Sequence, residues 1–297
     1  MLGACEGPNS VRATKTRRLV VLKRRPGLKS GLLAGAMSIG LVCPASPAMA
    51  QTGAQGLKLY VLPCGTLSNI VSLAAYDLEN EPVARTMSVT CALVVHPRGT
   101  LLWDTGVGDN NPERPSRWVP GPKPLKDLLS DIGYTPDRIT YLALSHGHSD
   151  HTGNANDYAG ATWLVQKAEY DSMFGAKANT NPYKALKDAK TVSLTGDHDV
   201  FGDGTVMLKS TPGHSPGHQV LFVKLAKTAP VVLSGDLYHY AAERTLDRMP
   251  PREREQGQTK ASRAALDEFM KKTGAQLWIT HDIIEDAKLR KSPSYYE

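Results

Sequence analysis

The chain is poor in cysteine, in long apolar runs and, past its first 50 residues, in net charge. Of its four cysteines, Cys5 and Cys43 precede residue 51, and Cys64 and Cys91 alone fall in the body. Two such cysteines could form a disulfide or sit as buried thiols on neighbouring strands; spacing does not give their separation. No cysteine lies in the histidine-rich stretch 145–153, which argues against a closed structural zinc site there. The apolar run Gly31 to Cys43 falls short of the roughly 20 residues that a permanent membrane span requires.

The formal charge of +6 is unevenly spread: residues 1–50 hold eight of the 35 basic residues and one of the 29 acidic ones, leaving 27 and 28, a net of −1. The body therefore gives no electrostatic reason to expect nucleic-acid binding. Its 297 residues suffice for one large domain or two small ones.

The basic front, the apolar run and the ending Pro44-Ala45-Ser46-Pro47-Ala48-Met49-Ala50 read as a secretory signal cleaved after Ala50. This divides the chain into a leader, 1–50, and a body, 51–297, exported to the periplasm or the medium with no stable membrane span after processing. Thr16-Arg17-Arg18-Leu19-Val20 adds a weak twin-arginine signature beside the general secretory reading, and the long basic segment leaves room for a later start codon. A lipoprotein reading through Cys43 is poorer, because bulky Val42 stands where a small residue is expected.

What the body has is histidine at the ends of strands. Ser145-His146-Gly147-His148-Ser149-Asp150-His151-Thr152-Gly153 follows the apolar strand Ile139 to Leu144. His146 and His148 can converge on one ion if the loop curls, which Gly147 permits. Asp150 and His151, at the start of a short helix, can hold a second ion. Imidazole with carboxylate favours zinc, with iron, manganese and cobalt as alternatives, and a catalytic pair of metals is the natural reading.

Three further strands end in the same chemistry. Val206 to Lys209 leads into Thr211-Pro212-Gly213-His214-Ser215-Pro216-Gly217-His218, a rigid turn offering His214 as ligand, with His218 supporting it or capping the next strand, Gln219 to Val223. Pro230 to Ser234 ends at Gly235-Asp236, where a buried carboxylate can give one oxygen to each of two metals. Gln276 to Thr280 ends at His281-Asp282. The hairpin Ser88 to Val95 and Thr100 to Trp103 delivers Asp104, placed to orient a metal-bound histidine from behind or, more plainly, to cap a turn.

Leu57 to Leu62 and Ala161 to Val165 complete the strands. Helices are expected over Lys126 to Ile132, Lys167 to Phe174, Tyr183 to Ala189 and Ala261 to Thr273. The proline-rich stretch Asn110 to Pro124 reads as a loop near the site mouth or a surface excursion. His96, in a hairpin turn, and His198, between two acids, are expected to be solvated.

Taken together, these motifs resemble the metallo-β-lactamase superfamily over residues 57–285. The resemblance implies an α+β fold, an αββα sandwich with a dinuclear metal site at one edge between two sheets. Within it the chain is most similar to the N-acyl homoserine lactonases, on Leu59-Tyr60-Val61-Leu62-Pro63, Trp103-Asp104-Thr105-Gly106, Ile132-Gly133-Tyr134-Thr135-Pro136-Asp137, Thr211 to Gln219 and His281-Asp282. The resemblance implies one metal on His146, His148 and His214, another on Asp150, His151 and His281, and Asp236 bridging. It also implies quorum-quenching hydrolysis: a metal-bridging hydroxide opens the lactone ring, and Asp150 carries the proton to the leaving oxygen.

Lactonases of this type commonly carry a tyrosine three residues past the bridging aspartate. Here that position is His239, between Tyr238 and Tyr240. Either His239 takes over the donor role or a shift of register presents a tyrosine such as Tyr238. The charged stretch Glu243 to Arg254 reads as a lid over an acyl chain or as a solvated loop.

Other readings remain. A thioesterase of the glyoxalase II type shares the ligands but needs a C-terminal basic cluster, for which Lys288, Arg290 and Lys291 are weak candidates. Phosphotriester hydrolysis is a further reading, and a metal-binding protein without catalysis is the non-enzyme alternative. β-Lactamases generally lack an aspartate where Asp236 stands. The expected partner is a small acyl lactone or related ester, and pairing of subunits as a homodimer is left open.

Overall fold

The computed structural model describes residues 56–68, 73–110, 115–176, 180 and 182–297, all within the unit Ala50–Glu297. The leader expected over residues 1–50, its cleavage point and part of the proline-rich loop lie outside the described residues.

The strands, in chain order, are β1 (Lys58–Leu67), β2 (Met87–His96), β3 (Gly99–Trp103), β4 (Trp118–Pro120), β5 (Tyr141–Ala143), β6 (Thr162–Gln166), β7 (Thr191–Leu194), β8 (His198–Asp199), β9 (Val206–Ser210), β10 (Gln219–Val223), β11 (Val231–Leu233), β12 (Gln276–Trp278) and β13 (Tyr295–Tyr296). The helices are α1 (Leu125–Ser130), α2 (Ser149–Thr152), α3 (Lys167–Met173), α4 (Ala241–Thr245), α5 (Gln256–Thr273) and α6 (Ile283–Asp286). The first sheet runs β13-β1-β2-β3-β5-β6-β7 with β4 on β1; the second runs β12-β11-β10-β9-β8.

Alternation along each strand makes four layers. In β10, Leu221 and Val223 face inward with Leu59, Val94, Trp103 and Leu164 of the first sheet. Val220 and Phe222 face outward, against Leu266 and Met270 of α5. Across the first sheet, Leu62, Leu93 and Leu142 face Leu125, Leu128 and Leu129 of α1 and Met173 of α3. Both faces of the central strands are covered, so they read as continuous apolar runs. The result is the αββα sandwich.

Strand direction positions the site. β3, β5, β6 and β7 run parallel, as do β11 and β12, while β9 and β11 both pair antiparallel with β10 and so share a direction. The carboxyl ends of β3 and β5, and those of β9, β11 and β12, therefore gather at one edge of their sheets.

Several details differ from the sequence expectations. Tyr183 to Ala189 forms a 3₁₀ turn, Lys184–Asp188, rather than an α-helix. His96 is buried, 5% exposed, stacked on Phe201 and bonded through Nε2 to Asp203 at 2.9 Å. Its cover comes from the 199–205 turn, far off in sequence. His198 is half-buried, paired in β8 opposite Leu208. A bulge between Pro63 and Gly65 leaves Cys64 as the unpaired residue of β1 beside Cys91 of β2, and the two form a disulfide.

Candidate functional site

Asp104 ends β3 in a left-handed conformation, φ 54°, which aspartate tolerates better than most residues. From there Oδ1 accepts the Ser145 N–H at 2.6 Å and Oδ2 lies 2.9 Å from Nδ1 of His151. One carboxylate thus fixes the first residue of the histidine loop and the ring of its last histidine. α2 then carries Asp150 and His151 inward, and it docks closely: a Cβ on Gly153 would fall 2.1 Å from the Gly108 nitrogen.

The carboxylate of Asp236, at the end of β11, stands between two groups. On one side Oδ2 lies 3.6 Å from His146 Nε2 and 3.3 Å from His214 Nε2, and His214 Nε2 is 3.1 Å from His148 Nδ1. On the other, Oδ1 lies 3.0 Å from His151 Nε2 and 3.1 Å from His281 Nε2. Asp150 Oδ2 completes that side, 3.6 Å from His151 and 3.4 Å from His281. Within each group the candidate ligand atoms lie within 4.8 Å of one another. All seven candidates from the sequence are brought together in two clusters.

Other residues hold these rings. His281 Nδ1 donates to the Ser88 carbonyl at 2.7 Å. His218, expected to support His214 or cap β10, does not join either cluster: its Nε2 accepts the Asp236 backbone N–H at 3.0 Å and its Nδ1 pairs with Thr211 Oγ1 at 2.9 Å, so it holds the backbone that carries the central carboxylate. Glu169, 4% exposed, ties the two histidine loops together, with Oε1 accepting the Gly147 N–H at 2.8 Å and Oε2 accepting Ser215 Oγ–H at 2.6 Å and Gly217 N–H at 2.8 Å. Ser88, Glu169, Glu243 and Glu253 escaped the sequence reading. No local signal marks them, because each acts on a residue distant in the chain or on a ring whose position is set by folding.

The electrostatics fit metal better than protons. Burial, and then His148 beside it, holds the His146 imidazole well below its ordinary range. Burial, and then His214, lowers His148 to about 4. Burial opposes charge on Asp236 too, but His281, His151 and His146 around it keep the carboxylate well below the usual range. At His146 and His148, neutral imidazoles facing an ionised carboxylate are the forms that bind a cation. On the other side burial opposes the charge, but Asp236 and Asp150 raise His151 well above its ordinary range and His281 to about 9, a positive charge that a bound cation would replace. The Nε2 atoms of His146 and His151 and Oδ1 of Asp236 are buried without a hydrogen-bond partner, a costly arrangement that divalent cations would satisfy. The residues fit two such ions.

Among the described residues, His148 and His214 line two cavities that open on the cluster. One, about 310 Å³, has Leu67, Tyr76, Met87 and Trp118 on its wall with His239 and Asp236 at its floor. The other, about 270 Å³, lies between α3 and the segment before α5. His239 Nε2 is 3.4 Å from Asp236 Oδ2. Tyr238 does not line this cavity; it packs beside α5 with the Arg263 guanidinium 4.1 Å above its ring. Tyr240 packs edge-on against Tyr76, and it is Tyr76 that brings a phenol ring to the cavity, 4.7 Å from His239. The charged stretch Glu243 to Arg254, read as a lid or a solvated loop, is anchored at two points: Glu243 is wholly buried and the Glu253 side chain is turned inward.

Fold and site define a protein built to hold two metal ions at the edge of an αββα sandwich. Residues 84–281 match the family model described as Metallo-beta-lactamase superfamily, and the chain belongs to that superfamily. The N-acyl homoserine lactonase AttM of Azorhizobium caulinodans is 27% identical over 81% of this chain and 99% of its own. An N-acyl homoserine lactonase of Bacillus thuringiensis is 29% identical over 80% and 98%. Among solved structures, a quorum-quenching N-acyl homoserine lactone lactonase superposes with a TM-score of 0.66 at 26% identity, over 80% of this chain and 97% of that one. An N-acyl homoserine lactone hydrolase with N-hexanoyl-L-homoserine at its catalytic metal centre superposes at 0.67 and 24% identity, over 80% and 98%, a likeness of fold.

Proposed function

We propose that this chain is a metal-dependent N-acyl homoserine lactonase, in which His146, His148, His214 and Asp236 would hold one zinc ion and Asp150, His151, His281 and Asp236 the second. The observation that carries the reading is the Asp236 carboxylate, set with one oxygen toward each ligand group and exposed to a cavity with an apolar wall. The lactonase relatives, aligned over nearly their whole length, support the substrate class.

Two divalent ions at this place supply Lewis acidity and a nucleophile at neutral pH. The chain does the rest. Leu67, Met87 and Trp118 bind the acyl chain and exclude water from the reacting carbonyl. His239, with Nε2 facing the cavity floor, donates a hydrogen bond to a substrate oxygen in the place of the tyrosine that comparable lactonases use. Asp150, held between His151 and His281, moves the proton to the ring oxygen as the ring opens.

A panel tests the substrate class: acyl homoserine lactones of short and long chain beside a thioester, a phosphotriester and a β-lactam. Preference for the lactones is expected; turnover of another class with no lactone opening contradicts the assignment. Export belongs to the same proposal, supported by the leader-like composition of residues 1–50 and by the Cys64–Cys91 disulfide, which suits an oxidising compartment. N-terminal sequencing of protein from the periplasm or medium should begin at Gln51; an N-terminus retaining residues 1–50 contradicts it.

A further inference from the structure

Between α4 and α5 the chain runs as a charged strap whose side chains point different ways. Arg252 and Arg254 are exposed, whereas the Glu253 side chain between them is 3% exposed. Its two oxygens are both engaged: Oε2 lies 3.3 Å from Nδ1 of His214, and Oε1 accepts the Thr259 hydroxyl at 2.7 Å. Thr259 is itself fully buried and packs on the loop that carries His214: a Cβ added to Gly213 would fall 2.2 Å from its Oγ1. The Glu255 N–H donates to the Gly213 carbonyl at 3.2 Å, closing the strap onto the same loop.

A buried carboxylate is costly unless its oxygens are bonded, so a glutamate turned inward between two outward arginines calls for a partner, and His214 is that partner. The chemistry matches what the other ligand group already shows. His151 gives Nε2 to the cluster and Nδ1 to the Asp104 carboxylate; His214 gives Nε2 to the cluster and Nδ1 to Glu253. A carboxylate behind a ligating imidazole fixes its tautomer and ring orientation and raises its basicity toward the metal.

We propose that Glu253 is a positioning residue of the metal centre, holding His214 so that Nε2 faces the ion shared with His146, His148 and Asp236. Each ligand group then has its own carboxylate, Asp104 for one and Glu253 for the other. This rests on the two-metal reading of the site.

The test strips the protein with a chelator and titrates zinc back against a chromophoric competitor. Wild-type protein should take up two ions. Glu253→Gln should bind one of them about 10–100-fold more weakly and the other unchanged, with ring-opening activity recovering as zinc is raised. Glu255→Gln removes an exposed carboxylate from the same strap and should bind both ions as wild type does. If Glu253→Gln fails to fold, Thr259→Val, which frees Oε1, should show a smaller weakening of the same ion. Cobalt-loaded protein gives an independent reading, since the visible bands of one site alone should change. Wild-type affinities for both ions in Glu253→Gln, or equal weakening in Glu255→Gln, would overturn the proposal. A wild-type chain that takes up fewer than two ions would overturn the two-metal reading as well.

Discussion

Nδ1 of His239 lies 3.1 Å from Oε1 of Glu243, and the same oxygen accepts the His239 backbone N–H at 3.1 Å. The other oxygen accepts from Arg263 at 2.5 Å, and Glu243 has no exposed surface. The buried Arg–Glu–His chain commits Nδ1 and turns Nε2 toward Asp236 Oδ2, 3.4 Å away, where both residues line the cavity. His239→Ala should lower kcat about 10²-fold, the usual cost of removing one preorganised donor, and His239→Tyr should restore part of it. Glu243→Ala leaves the Arg263 charge uncompensated, a loss of about 3–5 kcal/mol by denaturant unfolding. A Glu243→Ala variant as stable as wild type would contradict this description.

The disulfide between Cys64 and Cys91 closes a loop with a sequence separation of 27 residues. Cross-linking a loop of that length removes unfolded-state freedom equivalent to roughly 3.5 kcal/mol. The double variant Cys64→Ser with Cys91→Ser should lose about that much stability while keeping its metal content. Equal urea midpoints for oxidised wild type and the variant would contradict the estimate.

Asp203 gives a pH signature. Burial alone would raise its carboxyl, but Thr205, Arg98 and His96 around it bring it well below the ordinary range. A depressed folded-state value stabilises the fold above the unfolded value of about 3.9 and loses that contribution as pH falls through the folded value. Asp203→Asn should therefore be less stable than wild type at pH 7, and the gap should narrow below about pH 4. Urea midpoints at pH 7 and pH 3 measure it, and a constant gap would show that the carboxylate charge contributes nothing.

How much of this was legible in the sequence follows the range of each contact. The apolar strands and the candidate ligands at their ends are local signals, and His146, His148, Asp150, His151, His214, Asp236 and His281, which folding gathers into two clusters, could all be named from them. Asp104 could be named because an acid ends a strand, but its partner 47 residues on could not be identified from spacing alone. His96 was misread because a hairpin turn suggests solvent, while its cover comes from Asp203, 107 residues away. Ser88 lies 193 residues from His281 and leaves no trace of its role. The stretch from α4 to the start of α5 differs for another reason: a charged run reads as solvated, and only folding shows that Glu243 and Glu253 turn inward while Arg252 and Arg254 do not. β4 was hidden by prolines, since its pairing with β1 depends on a strand about 50 residues earlier.

The central claim is that the Asp236 carboxylate joins two ligand groups into one hydrolytic site. Ring opening of an acyl homoserine lactone, followed by proton release, should be measured for zinc-loaded wild type and for Asp236→Ala at matched concentrations, with bound metal counted in both. Turnover is expected in the wild type, and in the variant both loss of bound zinc and a fall in kcat/KM to near background. Wild-type turnover in Asp236→Ala, or two bound ions with no lactone opening in the wild type, would contradict it.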